Sequence, residues 1–169
     1  GIHEHLGKQD RPQHWRIHAA LPLYTTSLDS ALCSLAATAG TLQIGDAGSN
    51  SPGASVSNAI GITIGSGATL DLPRNHALTV QTVAWSLPPI ALNSGSKLQF
   101  RGTTGSNIPR VSAPISVNGA TTIDNNGVSY GQDITLSGLL SGTGSINYVA
   151  SSASGSATAT RTLTVSNGS

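Results

Sequence analysis

Short alternating apolar segments that recur at a fixed interval are the feature that most constrains the fold of this chain. From Thr41 onward, apolar residues stand two apart across a polar or small residue, which is the period of a β-strand. Leu42, Leu70 and Leu98 are 28 residues apart, and each follows a run of small residues. Strands this short cannot fold alone, and a recurrence of about 20 to 28 residues is typical of stacked solenoids. The pattern therefore predicts an all-β solenoid of roughly five coils.

Further alternating segments extend this pattern to the end of the chain. Clusters such as Gly65-Ser66-Gly67 and Asn125-Asn126-Gly127 separate them and supply turn chemistry. The later units are shorter, and Ile123, Ile146 and Leu163 are predicted to open them. The other predicted strand segments contain Ile60/Ile62/Ile64, Leu78/Val80, Ile115/Val117, Ile134/Leu136, Ile146/Tyr148 and Leu163/Val165.

The first 40 residues have a different character. Four of the five histidines and the only glutamate lie within the first 18 positions. Leu28, Leu32 and Leu35 then recur at helical spacing, with Ser27 placed as an N-cap. An uncovered solenoid end exposes apolar side chains and strand edges. We therefore expect a short amphipathic helix over about 28 to 38 that caps the first coil.

Several segments that contain or lead into predicted strands are similar to one another and to the repeats of a known protein family. They read Gly40-Thr41-Leu42-Gln43-Ile44-Gly45, Gly67-Ala68-Thr69-Leu70-Asp71-Leu72 and Leu139-Leu140-Ser141-Gly142-Thr143-Gly144-Ser145-Ile146. Over about residues 40 to 169 the chain looks like the passenger repeats of bacterial autotransporters and their β-strand-repeat relatives. The resemblance implies a right-handed parallel β-helix displayed on, or released from, the cell surface. We therefore divide the chain into a polar, His-rich segment with a capping helix, 1–40, and a repeat domain, 41–169.

Charge and cysteine content exclude several classes of partner and site. Eight basic and seven acidic residues give a net charge of +1 without a basic run, so nucleic acid is not an expected partner. Cys33 is the only cysteine, which excludes an internal disulfide and multi-cysteine metal sites. No apolar stretch approaches the roughly 18 residues of a membrane span, and the start lacks the order of a signal peptide. With only 9% charged residues, we expect a mature extracellular chain or a piece of a longer one.

The N-terminal histidines are the first candidate for chemistry. Two of them lie two residues apart and would point the same way in an extended segment, and two lie four apart and would share one face of a helix. Imidazole suits zinc, and a carboxylate nearby could accept the proton of a metal-bound water. Ordinary solvated polar residues are the favoured interpretation of this segment, and the metal site is the alternative. The zinc ligands would be His3, His5, His14 and His18, and the general base would be Glu4 or Asp10.

A second candidate is a calcium site in the turns. Asp124, Asn126 and Asp133 supply side-chain oxygens within ten residues, and hard cations prefer oxygen ligands. Their spacing does not match a helix-loop-helix calcium loop, so turns that hydrogen-bond their own backbone are the favoured interpretation.

Two further features of the sequence are candidate binding sites. Gln43, Asp71 and Gln99 follow the three equally spaced leucines, which predicts a stacked polar row in preference to the acid-lined cleft of a polysaccharide-active β-helix. Trp85 precedes two prolines, which predicts an excursion from the solenoid wall. Its ring could plug the core or stack on a sugar, and Arg74 and His76 could form a polar lip beside it.

These observations favour a non-catalytic structural or binding module of the adhesin type, with a cell-surface glycan as partner. The alternative is a small zinc- or calcium-dependent hydrolase of esters or lactones, and a polysaccharide-active β-helix is a further one. We also expect either a homodimer through a solenoid end or continuation into further coils, because Leu163 and Val165 form a strand with no recognisable polar cap after it.

Overall fold

Sixteen β-strands, and no helix, form the described part of the protein in a computed structural model. The structure describes residues 14–17, 23–25, 34–45, 59–74, 82–85, 87–102, 108–127, 133–150 and 162–166. Buried and less buried side chains alternate along strands such as Ile90–Asn93, as the period of two predicts. None of the described residues belongs to a helix long and apolar enough to cross a membrane.

The strands, numbered in chain order, form three sheets in which all described neighbours are parallel. Sheet 1 contains β1 (His14–Ile17), β3 (Ser34–Ala37), β5 (Gly61–Ile64), β8 (Ile90–Asn93), β11 (Ile115–Asn118) and β14 (Leu140–Ser141). Sheet 2 contains β2 (Leu23–Thr25), β4 (Thr41–Ile44), β6 (Thr69–Arg74), β9 (Lys97–Gly102), β12 (Ala120–Gly127) and β15 (Ser145–Val149). Sheet 3 contains β7 (Thr82–Trp85), β10 (Ile108–Val111), β13 (Ile134–Leu136) and β16 (Leu163–Val165). Because the chain visits the sheets in turn, the predicted all-β parallel solenoid is confirmed.

Inward side chains of neighbouring coils stack into a continuous apolar core. Leu42 lies in register with Leu70, which lies in register with Leu98, so the predicted 28-residue repeat is confirmed. Leu72 and Phe100 form a second stacked pair in the same sheet. All five side chains are almost completely buried. Burial stabilises the fold by about 1.5–3 kcal/mol for each such side chain.

Glycines at one corner of the coil explain the small-residue approach to sheet 2. Gly40, Gly67 and Gly95 each lie shortly before a sheet 2 strand, with φ angles of 73°, 74° and 78°. Residues with a Cβ rarely adopt this conformation. The corners are also hydrogen-bonded to each other, since Gly67 N–H donates to Gly95 O at 3.1 Å. The corner therefore repeats in register with the strands it connects.

The expected helix over about 28 to 38 is wrong in its described part, because Ser34–Ala37 forms strand β3. Leu35 and Ala37 point inward between less buried neighbours, and Leu35 lies in register with Ile62. Stacking on β5 therefore overrides the helical spacing of the leucines. Leu28 and Leu32 lie outside the described residues. Strands β1 and β3 show that sheet 1 takes in residues from the first 40.

The predicted alignment of the later units is also corrected. Ile123 lies in register with Tyr148 instead of Ile146, and Leu163 pairs with Ile134 in sheet 3. Ile60 is exposed and precedes β5, so it is not part of an inward triplet. Period two identifies an inward pair but does not tell which sheet the pair joins. The predicted Leu78/Val80 strand lies outside the described residues.

Candidate functional site

The outer face of sheet 2 carries a row of polar side chains, one from each of four neighbouring strands. Gln43 lies in register with Asp71, Asp71 with Gln99, and Gln99 with Asp124. The residues alternate with inward leucines and an isoleucine, which fixes their outward direction. The stacked Gln/Asp/Gln row predicted from the sequence is thus present, and Asp124 extends it. We call these four residues the polar row.

Arg101 on β9 binds two residues of the polar row, Asp71 on β6 and Gln43 on β4. It follows Phe100 on β9 and shares the outer face with Gln99. Its Nε donates a hydrogen bond to Asp71 Oδ2 at 3.1 Å, and its Nη2 donates to the same oxygen and to Gln43 Oε1 at 2.7 Å. One guanidinium on β9 therefore holds a carboxylate on β6 and an amide on β4. The planar fork of arginine suits such multiple contacts.

The residues that Arg101 holds are withdrawn from water. Gln43 and Asp71 are each 3% exposed, and Gln43 Nε2 donates to Gly45 O at 2.8 Å. Burial raises the pKa of Asp71 above its ordinary value of 3.8, although the hydrogen bonds and charge of Arg101 oppose the rise. Asp71 Oδ1 is buried without a hydrogen-bond partner among the described atoms. The cluster therefore keeps one acceptor unused.

A second acid-base pair lies on the next strand of the same face. Lys97 Nζ is 3.9 Å from Asp124 Oδ2, and the lysine side chain is partly exposed whereas the aspartate is buried. Exposed pairs of this length stabilise a fold by only about 0–1 kcal/mol. Among the described side chains, the two ion pairs on the outer face of sheet 2 match two carboxylates with two cations. Chemically, the arrangement neutralises charge and links coils.

Sheet 1 has an outer face of a different kind. Asn118 Nδ2 donates to Asn93 Oδ1 at 3.3 Å, so the last residues of β11 and β8 form a short amide ladder. Ser116 Oγ donates to Asn118 Oδ1 at 2.9 Å. These side chains are partly or fully exposed and uncharged. The ladder offers hydrogen-bonding groups at the spacing of neighbouring coils, roughly 4.8 Å.

Trp85 lies in the core. It ends strand β7, which pairs with β10 in sheet 3, so the predicted excursion from the solenoid wall is wrong at this residue. The side chain is 1% exposed, and its ring centroid is 6.0 Å from that of Phe100 at an interplanar angle of 63°. Such edge-to-face pairs are favourable beyond their burial. This placement matches the hydrophobic plug, since sugar stacking requires an exposed ring.

The zinc-type ligands lie mostly outside the described residues. His14 is described, and it opens strand β1, so the expected helical face shared with His18 is wrong for this residue. No group of three His, Cys, Asp or Glu residues within metal-binding reach occurs in the described ranges. The other members of the predicted site lie outside those ranges: His3, Glu4, His5, Asp10 and His18.

The calcium-type residues are distributed over two sheets. Asp124 and Asn126 lie on the same face of β12 in sheet 2. Asp133 directly precedes β13 in sheet 3, where its Oδ1 accepts a hydrogen bond from Thr162 N–H at 2.8 Å. Thus each of the two aspartates has a protein partner of its own, and calcium binding stays a prediction.

The remaining predicted lip residues are placed as follows. Arg74 ends β6, where its backbone lies in register with Gly102. His76 lies outside the described residues. A binding lip at these positions therefore stays a prediction.

Arg101 and the Asn93/Asn118 ladder are the polar features that the sequence analysis missed. Arg101 follows Gln99 by two residues, so strand alternation alone would have placed it on the polar face. The two asparagines occupy the same register position, which follows once β8 and β11 are aligned.

No protein-family model, curated protein or solved structure matches this chain.

Proposed function

We propose that the protein is a non-catalytic structural and binding module, displayed on the cell surface or released from it. The observation that supports this proposal best is the Arg101 cluster, in which Arg101 binds the Asp71 carboxylate and the Gln43 amide on two preceding coils. Asp71 Oδ2 accepts two hydrogen bonds from one guanidinium. A general base must reach a substrate proton, whereas the unused Oδ1 of Asp71 is buried on a residue that is 3% exposed. The contacts of Asp71 thus favour a structural role in holding the coils.

The binding partner in this proposal is a cell-surface glycan. Asn93, Ser116 and Asn118 present amide and hydroxyl groups on an uncharged outer face. Such groups donate and accept hydrogen bonds, and sugar hydroxyls need both. The two asparagines lie on neighbouring coils, so a glycan chain that follows the solenoid axis can contact both of them. The resemblance to autotransporter passenger repeats supports the proposed location at the cell surface. We also propose that the fold is a right-handed solenoid of about five coils.

A binding and turnover experiment on the same preparation tests this proposal. We expect the purified protein to bind a glycan array or intact cell surfaces and to leave simple ester, lactone and glycoside substrates unchanged. Asn118→Ala removes one rung of the ladder and should weaken glycan binding several-fold, because its hydrogen bonds are lost. Thr164→Ala, on the exposed face of sheet 3, is the matched control.

Two results would contradict the proposal. Turnover that survives repurification and disappears on a single side-chain change would show an enzyme, and loss with chelator followed by recovery with zinc or calcium would identify the metal-dependent hydrolase. Equal glycan binding by wild type, Asn118→Ala and Thr164→Ala would show that the ladder is not the binding face.

A further inference from the structure

The sheet edges at the C-terminal end of the solenoid differ in how they are protected. Among the described strands, β14, β15 and β16 each end a sheet and have a neighbour on one side only. Short length, charge and proline are common devices that prevent edge pairing between molecules. Strands β14 and β16 are short, with two and three residues, whereas β15 has five. Its sequence, Ser145-Ile146-Asn147-Tyr148-Val149, contains neither charge nor proline.

The side chains of β15 are also incompletely covered. Ile146 and Tyr148 point inward but are only partly buried, whereas the described inward side chains of β9 and β12 in the same sheet are almost completely buried. Ser145 and Asn147 are exposed on the other side of the strand. Among the described strands, none pairs with the outer edge of β15, and the inward apolar side chains of β15 are partly exposed. A second strand paired with this edge would form hydrogen bonds with its backbone groups and would cover the side chains of Ile146 and Tyr148.

The sequence of β15 is compatible with itself in an antiparallel arrangement. A two-fold axis through Asn147 places Ser145 opposite Val149 and Ile146 opposite Tyr148 of the other copy. Because opposed residues differ by an even number of positions, both copies keep Ile146 and Tyr148 on the same face. A two-fold pair sets any charge near the axis against its own copy, and β15 carries none.

We propose that two copies of this chain associate through β15, paired antiparallel about Asn147. This two-fold pairing is closed, so it stops at a dimer, whereas head-to-tail stacking of solenoid ends would continue into a fibre. The Ile146 and Tyr148 pair across the interface is of the β-branched and aromatic type that stabilises antiparallel strands. The association does not depend on which ligand the module binds.

Cysteine cross-linking tests the pairing register. In a Cys33→Ser background, Asn147→Cys places two thiols at the axis, where opposed Cβ atoms are about 4.5–5.5 Å apart. We expect a covalent dimer under mild oxidation. The matched control is Ser145→Cys in the same background, whose thiols lie about 13 Å apart along the strands and should not join. Equal cross-linking of both variants, or cross-linking of neither, would overturn the proposed register.

Sedimentation equilibrium across a concentration series tests the association without cross-linking. We expect a monomer-dimer equilibrium for the wild type. Asn147→Lys sets two positive charges against each other at the axis and should weaken the dimer at least tenfold, whereas Thr164→Lys on β16 should change it little. A wild type that stays monomeric throughout, or that grows beyond a dimer, would contradict the proposal, as would equal weakening by both lysines.

Discussion

The middle and the last coil of the solenoid use the same strand pattern with different results. In the middle coils, Leu70 and Leu98 occupy the inward positions of sheet 2 and are fully buried. In the last coil, Tyr148 takes the equivalent position and is only partly buried. Its hydroxyl accepts a hydrogen bond from Asn125 Nδ2 at 3.2 Å, and Asn125 is 0% exposed at an inward position. The comparison teaches that stacked neighbours, rather than the sequence of one strand, decide how deeply a side chain is buried.

Truncation of core side chains should give the largest difference between these regions. Phe100→Ala removes a fully buried ring that contacts Trp85, and we expect it to lower the free energy of unfolding by about 3–5 kcal/mol. Val165→Ala in β16, where the side chain is 38% exposed, should cost less than about 1 kcal/mol. Urea unfolding of both variants measures the two losses. Similar losses would mean that the two coils are equally packed.

Substitution at a corner glycine should have the next largest effect. Gly95 has a φ of 78°, and a Cβ there would lie 2.9 Å from Ser66 Oγ, so Gly95→Ala should lower the free energy of unfolding by about 1–2 kcal/mol. The matched control is Gly61→Ala, since a Cβ on Gly61 meets only Pro89 O at an ordinary 3.6 Å. Thermal unfolding compares the two variants. A larger loss from the control would show that the corner conformation is not the constraint.

The smallest expected effect is the pH dependence that Asp71, in the polar row, gives to the free energy of unfolding. Because burial raises the pKa of Asp71, the folded protein holds this proton more tightly than the unfolded chain. The resulting stability is fully present below the ordinary pKa of 3.8 and is lost as the pH rises through the raised pKa. Asp71→Asn should remove this dependence, because an amide does not titrate there.

Unfolding curves between acid and neutral pH measure this difference. Wild type and Asp71→Asn should differ in a pH-dependent way over that window. Asp133→Asn, which removes an exposed carboxylate elsewhere, is the control. If the difference in the free energy of unfolding between wild type and Asp71→Asn stayed constant with pH, titration of Asp71 would not contribute to the pH dependence of stability.

The features predicted correctly are those that depend on repetition within strands. Equal spacing of Leu42, Leu70 and Leu98 suffices to align three coils, and alternation then places the polar row on the outer face. By contrast, Leu35 was assigned to a helix because its spacing from Leu32 and Leu28 fits the helical period as well. Only the stacking of β3 on β5 decides between the two periods, and that contact joins residues far apart in the sequence.

Contacts that span several coils could not be predicted in the same way. Arg101 reaches Gln43 across two strands because its side chain is long, and no local pattern encodes that reach. Trp85 lies in the core because sheet 3 packs it against Phe100. The two prolines that follow it in the sequence indicate a departure from the wall instead.

Nuclear Overhauser contacts between leucine methyl groups test the central claim, the parallel in-register stacking of coils, most directly. In a protein with selectively labelled leucines, the account predicts contacts from Leu70 to both Leu42 and Leu98, because the three lie in register on neighbouring strands of one sheet. The solenoid would be contradicted if these leucine contacts were absent and the short Hα–Hα contacts of antiparallel strands were present.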